Sequence, residues 1–478
     1  MTKTKKKVLL TGASGSMGSE AFKELLRRKD KYEIVVILRP SKKNREMFAK
    51  WEAEPGVRIV WGDLCEFKDV QEAMKGVEHV LHPAAFISPE ADMNPVQAKK
   101  LNHGGMLNLI EAVKREPDGV NRIKFTSIGS VAEIGDRLPP IHMVRVGDPL
   151  KPSVGDFYAT TKMAAERALI ESDLKYWVSI RQTFIATAQT KMEPIMYHQP
   201  LNTHIELVTG EDAGYGLVQT LETPEDFWCR VYNMGGGPAC RVVFLDYLSN
   251  MLKMQGLEGI EGLMDVNWFA LRNFHCCWYD DSHVLNSYLG HWRHTLEDHY
   301  RDVLGAMSES FKKKIQELPR SAIRDFMKSM AETLKWIENN ETEKVKAFFG
   351  TREAWEKIPD WGHYQCVRGS EAPRPKEIEP AKYTIAYMKE FAESRGGQCL
   401  STTFHDLKAK LKWRCGFGHE FEASPTLVKT GHWCPQCVPP PWRWDDIAKV
   451  DPLFGRFYYN NHSKDERQVA EWLYCPNE

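Results

Sequence analysis

Apolar positions along the chain fall into two rhythms. Continuous short runs, Lys7 to Leu10, Glu33 to Leu38 and Ile123 to Ser130, have the length of strands buried on both faces. Ser19 to Arg28 and Phe157 to Leu169 instead read as helices. Strands alternating with helices predict an α/β fold built on a doubly wound parallel sheet. Further on, Phe311, Ile315, Leu318, Ile323, Phe326, Met330, Leu334 and Ile337 recur at largely helical spacing within residues 306 to 349, broken at Pro319. Two amphipathic helices packing on the main body are expected there. The Pro, Gly and charge of residues 359 to 380 predict a linker.

The turn after the first run reads Thr11-Gly-Ala-Ser-Gly-Ser-Met-Gly18. Between a strand and a helix, this pattern is a dinucleotide fingerprint. Gly12 serves the sharp turn, Gly15 the approach of a pyrophosphate and Gly18 the close packing of helix on strand, with the phosphates at the helix N-terminus. Ser14, Ser16 and Met17 belong to the same turn. The second strand ends about 20 residues later, where an acid would bind the ribose of NAD. Arg39, Ser41, Lys42 and Lys43 stand there instead, a cationic cluster suited to a 2′-phosphate. NADP is therefore expected ahead of NAD, the alternative being a solvated basic loop.

Asp156 can cap a helix in which Tyr158 and Lys162 lie one turn apart on one face. A neighbouring ammonium favours the phenolate, which would make Tyr158 a general acid/base. The run ending Thr126-Ser-Ile-Gly-Ser130 delivers hydroxyls at the C-terminal end of a central strand, where open α/β sheets place their sites.

With these motifs, residues 5 to 300 resemble the extended short-chain dehydrogenase/reductase family, which includes sugar-nucleotide epimerases and dehydratases. Gly62-Asp63-Leu64 matches the segment whose aspartate contacts adenine, and His82-Pro-Ala-Ala-Phe86, with Ala84 and Ala85, the cofactor wall. The resemblance implies that Ser130 holds the substrate oxygen, with Ser127 as the fallback. It implies that Tyr158 passes the proton, that Lys162 binds the nicotinamide ribose and that Asn102 positions a relay water. Dehydratases of the family follow their hydroxyl with Asp-Glu; here Val131-Ala132 follows, which speaks against water elimination. Arg181 fits the sugar-nucleotide pattern, but the expected Pro and Asn beside it are missing. The implied activity is an NADP(H)-dependent oxidoreductase acting on a carbonyl or secondary alcohol of a small, cyclic, fairly apolar substrate. An epimerase and a cofactor-stabilised scaffold are the alternatives. The family also implies a homodimer through the helices that carry Tyr158 and follow Asn102.

Met192 to His198 and Trp268 to Tyr279, rich in Met, aromatic and His residues, line a pocket or form core between lobes. His198 and His275 read as structural. Tyr232-Asn-Met-Gly-Gly-Gly237 resembles the family's strand and turn before a substrate-lobe helix.

Past the linker, Cys415-Gly-Phe-Gly-His419 and Cys434-Pro-Gln-Cys437 form a Cys-x3-His and a Cys-x2-Cys pair separated by fourteen residues. Four such ligands close a tetrahedral Zn2+ site of structural type; a disulfide is the alternative. The surrounding sequence resembles appended zinc-ribbon modules. Six Lys/Arg against three Asp/Glu between Arg395 and Cys437 is a weak basic footprint, so nucleic-acid binding is not the favoured role. These readings divide the chain into a dinucleotide-binding domain, 1–185, and a substrate part, 186–305. A helical segment and linker, 306–372, a zinc ribbon, 373–440, and an aromatic tail, 441–478, follow. With 478 residues, 42% hydrophobic content and net charge −1, the chain can bury a large core and is not drawn broadly to polyanions or membranes. The absence of an apolar leader-like run at the N-terminus and of long apolar stretches makes a cytoplasmic setting the expectation.

Overall fold

The computed structural model describes residues 5–139, 143–189, 192–369, 380, 382–438 and 442–467. Seven parallel strands form its central sheet. They are β1 (Lys6–Thr11), β2 (Tyr32–Leu38), β3 (Val57–Trp61), β4 (His79–His82), β5 (Lys124–Ser130), β6 (Tyr176–Gln182) and β7 (Arg230–Met234). Their order in space is β3-β2-β1-β4-β5-β6-β7. The three apolar runs read from the sequence are β1, β2 and β5. Val8, Leu9 and Leu10 of β1 are fully buried, as expected of a strand with helices on both faces. The winding direction reverses between β1 and β4, and a crevice opens there beyond the C-terminal ends of the strands.

Two close approaches position this edge. Helix α1 (Ser16–Arg27) starts at Gly15 with no side-chain cap, which leaves its first amides to face the crevice. A Cβ on Gly18 would stand 2.0 Å from the Gly12 carbonyl oxygen, so only glycine lets α1 lie this close to β1. Gly12 itself turns at φ +62°, where a Cβ would meet the Ala84 backbone at 2.8 Å.

β7 corrects the boundary expected at residue 185. It returns to the main sheet after an excursion through the second lobe, pairing with β6 from Arg230↔Val178 to Met234↔Gln182. That lobe has its own core around Tyr197, Phe244, Tyr247, Trp268 and Phe269. The helical segment packs on it but comprises four helices, Glu309–Glu317, Arg320–Met330, Glu332–Glu338 and Thr342–Phe349, rather than the two expected. The break at Pro319 is observed. Ile323 and Met327 are buried, whereas Phe311, Leu318 and Phe326, expected inside, are 48%, 42% and 60% exposed. The start of the expected linker is docked: the Trp361 indole donates to the Met264 carbonyl, and Arg368 pairs with Asp246 at 2.8 Å. Residues 370–379 lie outside the described residues.

Gln398–Cys399, Leu411–Arg414 and Glu420–Ala423 form a three-stranded antiparallel sheet, the ribbon expected around the cysteines. Its Trp413, Leu427 and Trp433, together with Trp442, Trp444 and Tyr458 of the tail, share one continuous core with Leu109, Val113, Phe157 and Leu169 of the first domain. The aromatic tail packs as its composition predicts; Trp472 and Tyr474 lie outside the described residues. Among the described residues no helix is long and apolar enough to cross a membrane.

Gly18→Ala is expected to destabilise the fold by about 1–3 kcal/mol or to prevent folding, because the new methyl has only backbone to displace. The midpoint of urea unfolding checks this.

Candidate functional site

A cavity of about 700 Å³ opens at the crevice and continues between the two lobes. Gly12, Ser14, Gly15, Ser16, Met17 and Gly18 form its floor, and Pro83, Ala84 and Ala85 after β4 form one wall. Gly62, Asp63 and Leu64 close the end beyond β3, where the Asp63 carboxylate accepts from the Cys65 amide at 2.9 Å. At the end of β2, Arg39, Ser41, Lys43 and Asn44 line the cavity. Ser41 caps the next helix by accepting from the Asn44 amide, and the Asn44 side chain donates to the Arg39 carbonyl, which fixes the shape of this loop. Lys42 departs from expectation: it turns outward, 91% exposed, 3.9 Å from Glu46 one helical turn on. Asn44 was not singled out from the sequence; its place three residues after the capping Ser41 was the available signal.

The residues present fit a dinucleotide. Uncapped amides meet a glycine cradle that a Cβ would fill, cations stand at the ribose end, and the buried side-chain oxygens of Gln182 and Thr183 line the other end with no partner among the described residues.

Ser130, Tyr158 and Lys162 meet in the same cavity. Asp156 caps the helix Phe157–Ile170 through the Ala159 amide at 2.7 Å, as expected, and Tyr158 enters the cavity that Ser130 lines. Ser127 lies inside β5 and does not reach the cavity, so the register favours Ser130. Asn102 is not among the lining residues. Its amide instead clamps the chain after β4, accepting from the Phe86 amide at 2.7 Å and donating to the Phe86 carbonyl and the Thr161 hydroxyl, both at 2.9 Å. The Asn102 side chain thus braces the cofactor wall against the Tyr158 helix.

Burial pushes the Tyr158 phenol above its ordinary value; the nearby Ser130 hydroxyl pulls it down, and the charges of Glu133, Asp156 and Asp92 push it up again. Loss of water around the phenol, and not the lowering expected from Lys162, sets the direction of the shift. Burial also lowers Lys162, against the pull of Glu133 and Glu166.

The segments read as pocket or core divide between the two. Glu193, Ile195, Met196, Phe274, His275 and Cys276 line the cavity, whereas Tyr197, Trp268 and Phe269 are core. His198 is structural, packed on Trp336 and 3.2 Å from Glu332. His275, read as structural, faces the cavity with its Nδ1 3.0 Å from Asp156. Phe184, Phe244 and Tyr247 complete an apolar wall that sequence spacing did not reveal, because its parts come from distant segments. Arg181 does not line the cavity; it is fully buried against Glu166.

The ligand atoms of Cys415, His419, Cys434 and Cys437 lie within 4.8 Å of one another. His419 Nδ1 is 3.2 Å from Cys437 Sγ, and the thiols of Cys415 and Cys437 are 3.7 Å apart, too far for a disulfide. Three sulfurs and one imidazole nitrogen in this arrangement can hold a tetrahedral ion.

Residues 8–226 match the sequence model of the NAD dependent epimerase/dehydratase family. This part of the chain is a domain of that family. The chain is 35% identical over 109 residues to the inverting UDP-N-acetylglucosamine 4,6-dehydratase of Campylobacter jejuni, covering 23% of this chain and 32% of that protein. Over 204 residues it is 26% identical to the UDP-glucose 4-epimerase of Lacticaseibacillus casei, with 41% and 57% covered. Over 175 residues it is 26% identical to tetraketide alpha-pyrone reductase 1 of Arabidopsis thaliana, with 35% and 53% covered. The chain thus spans less than two thirds of the length of each of these curated relatives. The dTDP-glucose 4,6-dehydratase of Bacillus anthracis in complex with NAD shares the fold: TM-score 0.52, 16% identity, 65% of this chain and 99% of that one. The epimerase/dehydratase match ends well before the Cys/His cluster, which belongs to the C-terminal part of the chain.

Burial and the nearby Asp156 charge raise Asp92, whose Oδ1 accepts from the Tyr158 amide at 3.1 Å, to about 6. A carboxyl raised on folding adds stability below its unfolded value near 4, and that increment is lost as pH rises through about 6. Asp92→Asn keeps the acceptor and removes the charge. It is therefore expected to be more stable than the parent by about 1–2 kcal/mol at pH 8 and to lose that advantage at pH 4, as read from melting curves at both pH values.

Proposed function

We propose that this protein is an NADP(H)-dependent oxidoreductase that interconverts a carbonyl and a secondary alcohol on a small, cyclic, fairly apolar substrate. The observation that carries the reading is the meeting of Ser130, Tyr158 and Lys162 in one cavity with the glycine cradle. A bound nicotinamide would supply or accept the hydride. Ser130 orients the reacting oxygen by a hydrogen bond. Tyr158, its phenol raised by burial, carries a proton at neutral pH and is placed to deliver it to that oxygen, which suits reduction. Lys162 would hold the nicotinamide ribose, and Ala84 and Ala85 form the apolar wall beside it. Asp63 and Leu64 would receive the adenine.

Arg39 and Lys43 in the cavity, with no acid at the end of β2, support NADP over NAD. The wall of Met196, Phe184, Phe244 and Tyr247 supports an apolar substrate, and the burial of Arg181 away from the cavity removes the residue expected beside a sugar nucleotide. A second reading is an epimerase acting on a sugar nucleotide, favoured by the names of the dehydratase and epimerase relatives. For the Cys415, His419, Cys434 and Cys437 cluster we propose structural Zn2+, since a full set of soft ligands leaves no position for water. We further propose a homodimer using Leu107, 46% exposed on the helix Gly105–Arg115. Docking of the ribbon on the family domain supports a role for it within the chain rather than on nucleic acid.

Tyr158→Phe is expected to lower NADPH consumption on a panel of cyclic ketones by roughly 10²–10⁴-fold while dinucleotide affinity stays at the parent value. Equal turnover would point to a scaffold. Native mass spectrometry of the protein as purified, followed by NADPH and NADH titration, is expected to show one zinc per chain, no retained dinucleotide and tighter binding of NADPH. Stoichiometric retained NAD would favour the epimerase.

A further inference from the structure

Beyond the cavity-lining Tyr158 and Lys162, the C-terminal half of the helix Phe157–Ile170 and the residue after it are bound to the ribbon by polar contacts. His432 Nε2 is 2.9 Å from Glu166 Oε1, the Arg167 guanidinium donates to the Trp433 carbonyl at 3.1 Å, and the Glu171 carboxylate at the helix end accepts from the amide and hydroxyl of Ser424. Between them the ribbon chain is pressed onto the family domain: the Leu150 amide donates to the Gly431 carbonyl, and a Cβ on Gly431 would stand 2.1 Å from the Asp148 carbonyl oxygen.

The contacts continue inward. Glu166 also accepts from the Ser179 hydroxyl at 2.7 Å and from Arg181 at 2.5 Å, both on β6. Arg181 donates a further hydrogen bond to the Thr430 carbonyl at 2.8 Å, so the ribbon supplies one group to each member of the ion pair. On its other side Arg181 Nε lies 3.8 Å from Glu133 Oε2, and Glu133 Oε1 accepts from the Ser130 amide at 2.8 Å. Glu133, Glu166, Ser179, Arg181 and His432 are each at most 3% exposed. A charge buried this deeply depends on the few partners it has, so removing one donor is felt by the other members. Lys162 stands one turn before Glu166 on the same helix, and Glu133 and Glu166 are the two groups whose charges oppose the burial penalty on its ammonium.

We infer that the ribbon segment Thr430–His432 is a positioning element of the oxidoreductase site, holding Lys162 and Ser130 in register for a dinucleotide through the Glu166–Arg181–Glu133 chain. This rests on the reading of the cavity given above. His432 touches neither cofactor nor substrate; it acts through Glu166. The C-terminal module is on this view part of the active-site support rather than an independent binding unit.

The test uses the full chain and the variants His432→Ala and His432→Gln, with zinc content and melting temperature measured alongside NADPH affinity and the emission of bound NADPH. Loss of a donor to a buried charge predicts roughly tenfold weaker NADPH binding and a shifted emission in His432→Ala, with zinc retained. His432→Gln, whose amide can donate to Glu166, is expected to regain most of the affinity and the parental emission. If His432→Ala does not fold, the Gln variant decides: affinity and emission near the parent's support the inference, and a tenfold loss overturns it. Parental binding by His432→Ala, or no recovery by Gln relative to Ala, overturns the inference while leaving the function standing. A parent chain that binds neither NADPH nor NADH overturns both.

Discussion

The ion pair between Glu166 and Arg181 is the contact on which the other parts converge. It joins the helix that carries Tyr158 and Lys162 to β6, it receives His432 and Thr430 from the ribbon, and Arg181 reaches on to Glu133 beside Ser130. Burial opposes the charge on Glu166, yet Arg181 and His432 hold its carboxyl well below the ordinary range. Glu133, equally buried and facing the Glu166 charge, is pushed up to about 8. Two carboxyls around one guanidinium are thus pushed in opposite directions, Glu166 down by its two partners and Glu133 up by burial and by the Glu166 charge.

The two ends of the cavity are built by different means. The end near β1 and α1 is made of backbone: a left-handed turn at Gly12, a helix start without a cap, and a strand-to-helix distance that admits no side chain at Gly18. The far end is made of side chains delivered by segments as distant as Phe184, Phe244 and Phe274. A backbone cradle accepts a phosphate whatever the rest of the ligand, whereas the side-chain wall selects by shape and polarity. Asn102 serves the junction, tying the chain after β4 to the helix of Tyr158 so that the two halves keep their spacing.

Ribbon and tail are continuous with the family domain rather than appended to it. Trp413, Trp433, Trp442 and Trp444 enter the same apolar core as Phe157 and Leu169, and the tail adds His462 3.2 Å from the buried Asp136. A small three-stranded sheet has little core of its own, and sharing one with a larger neighbour supplies what it lacks.

Local constraints were legible in the sequence itself. The glycine spacing after an apolar run, Asp156 ahead of Tyr-x-x-x-Lys and the paired Cys/His knuckles each specify a geometry within a few residues, and the parallel sheet, the capped helix and the clustered ligand atoms follow them. What depended on the surroundings was not legible. Whether Lys42 or Lys43 faces the cavity, how far burial raises Tyr158, and where a strand such as β7 rejoins the sheet are settled by what the folded chain packs around them. The seating of His432 on Glu166 joins positions 266 residues apart, and nothing in either local pattern announces it. Short-range geometry is encoded where it occurs; desolvation and long-range pairing exist only once the chain has closed around them.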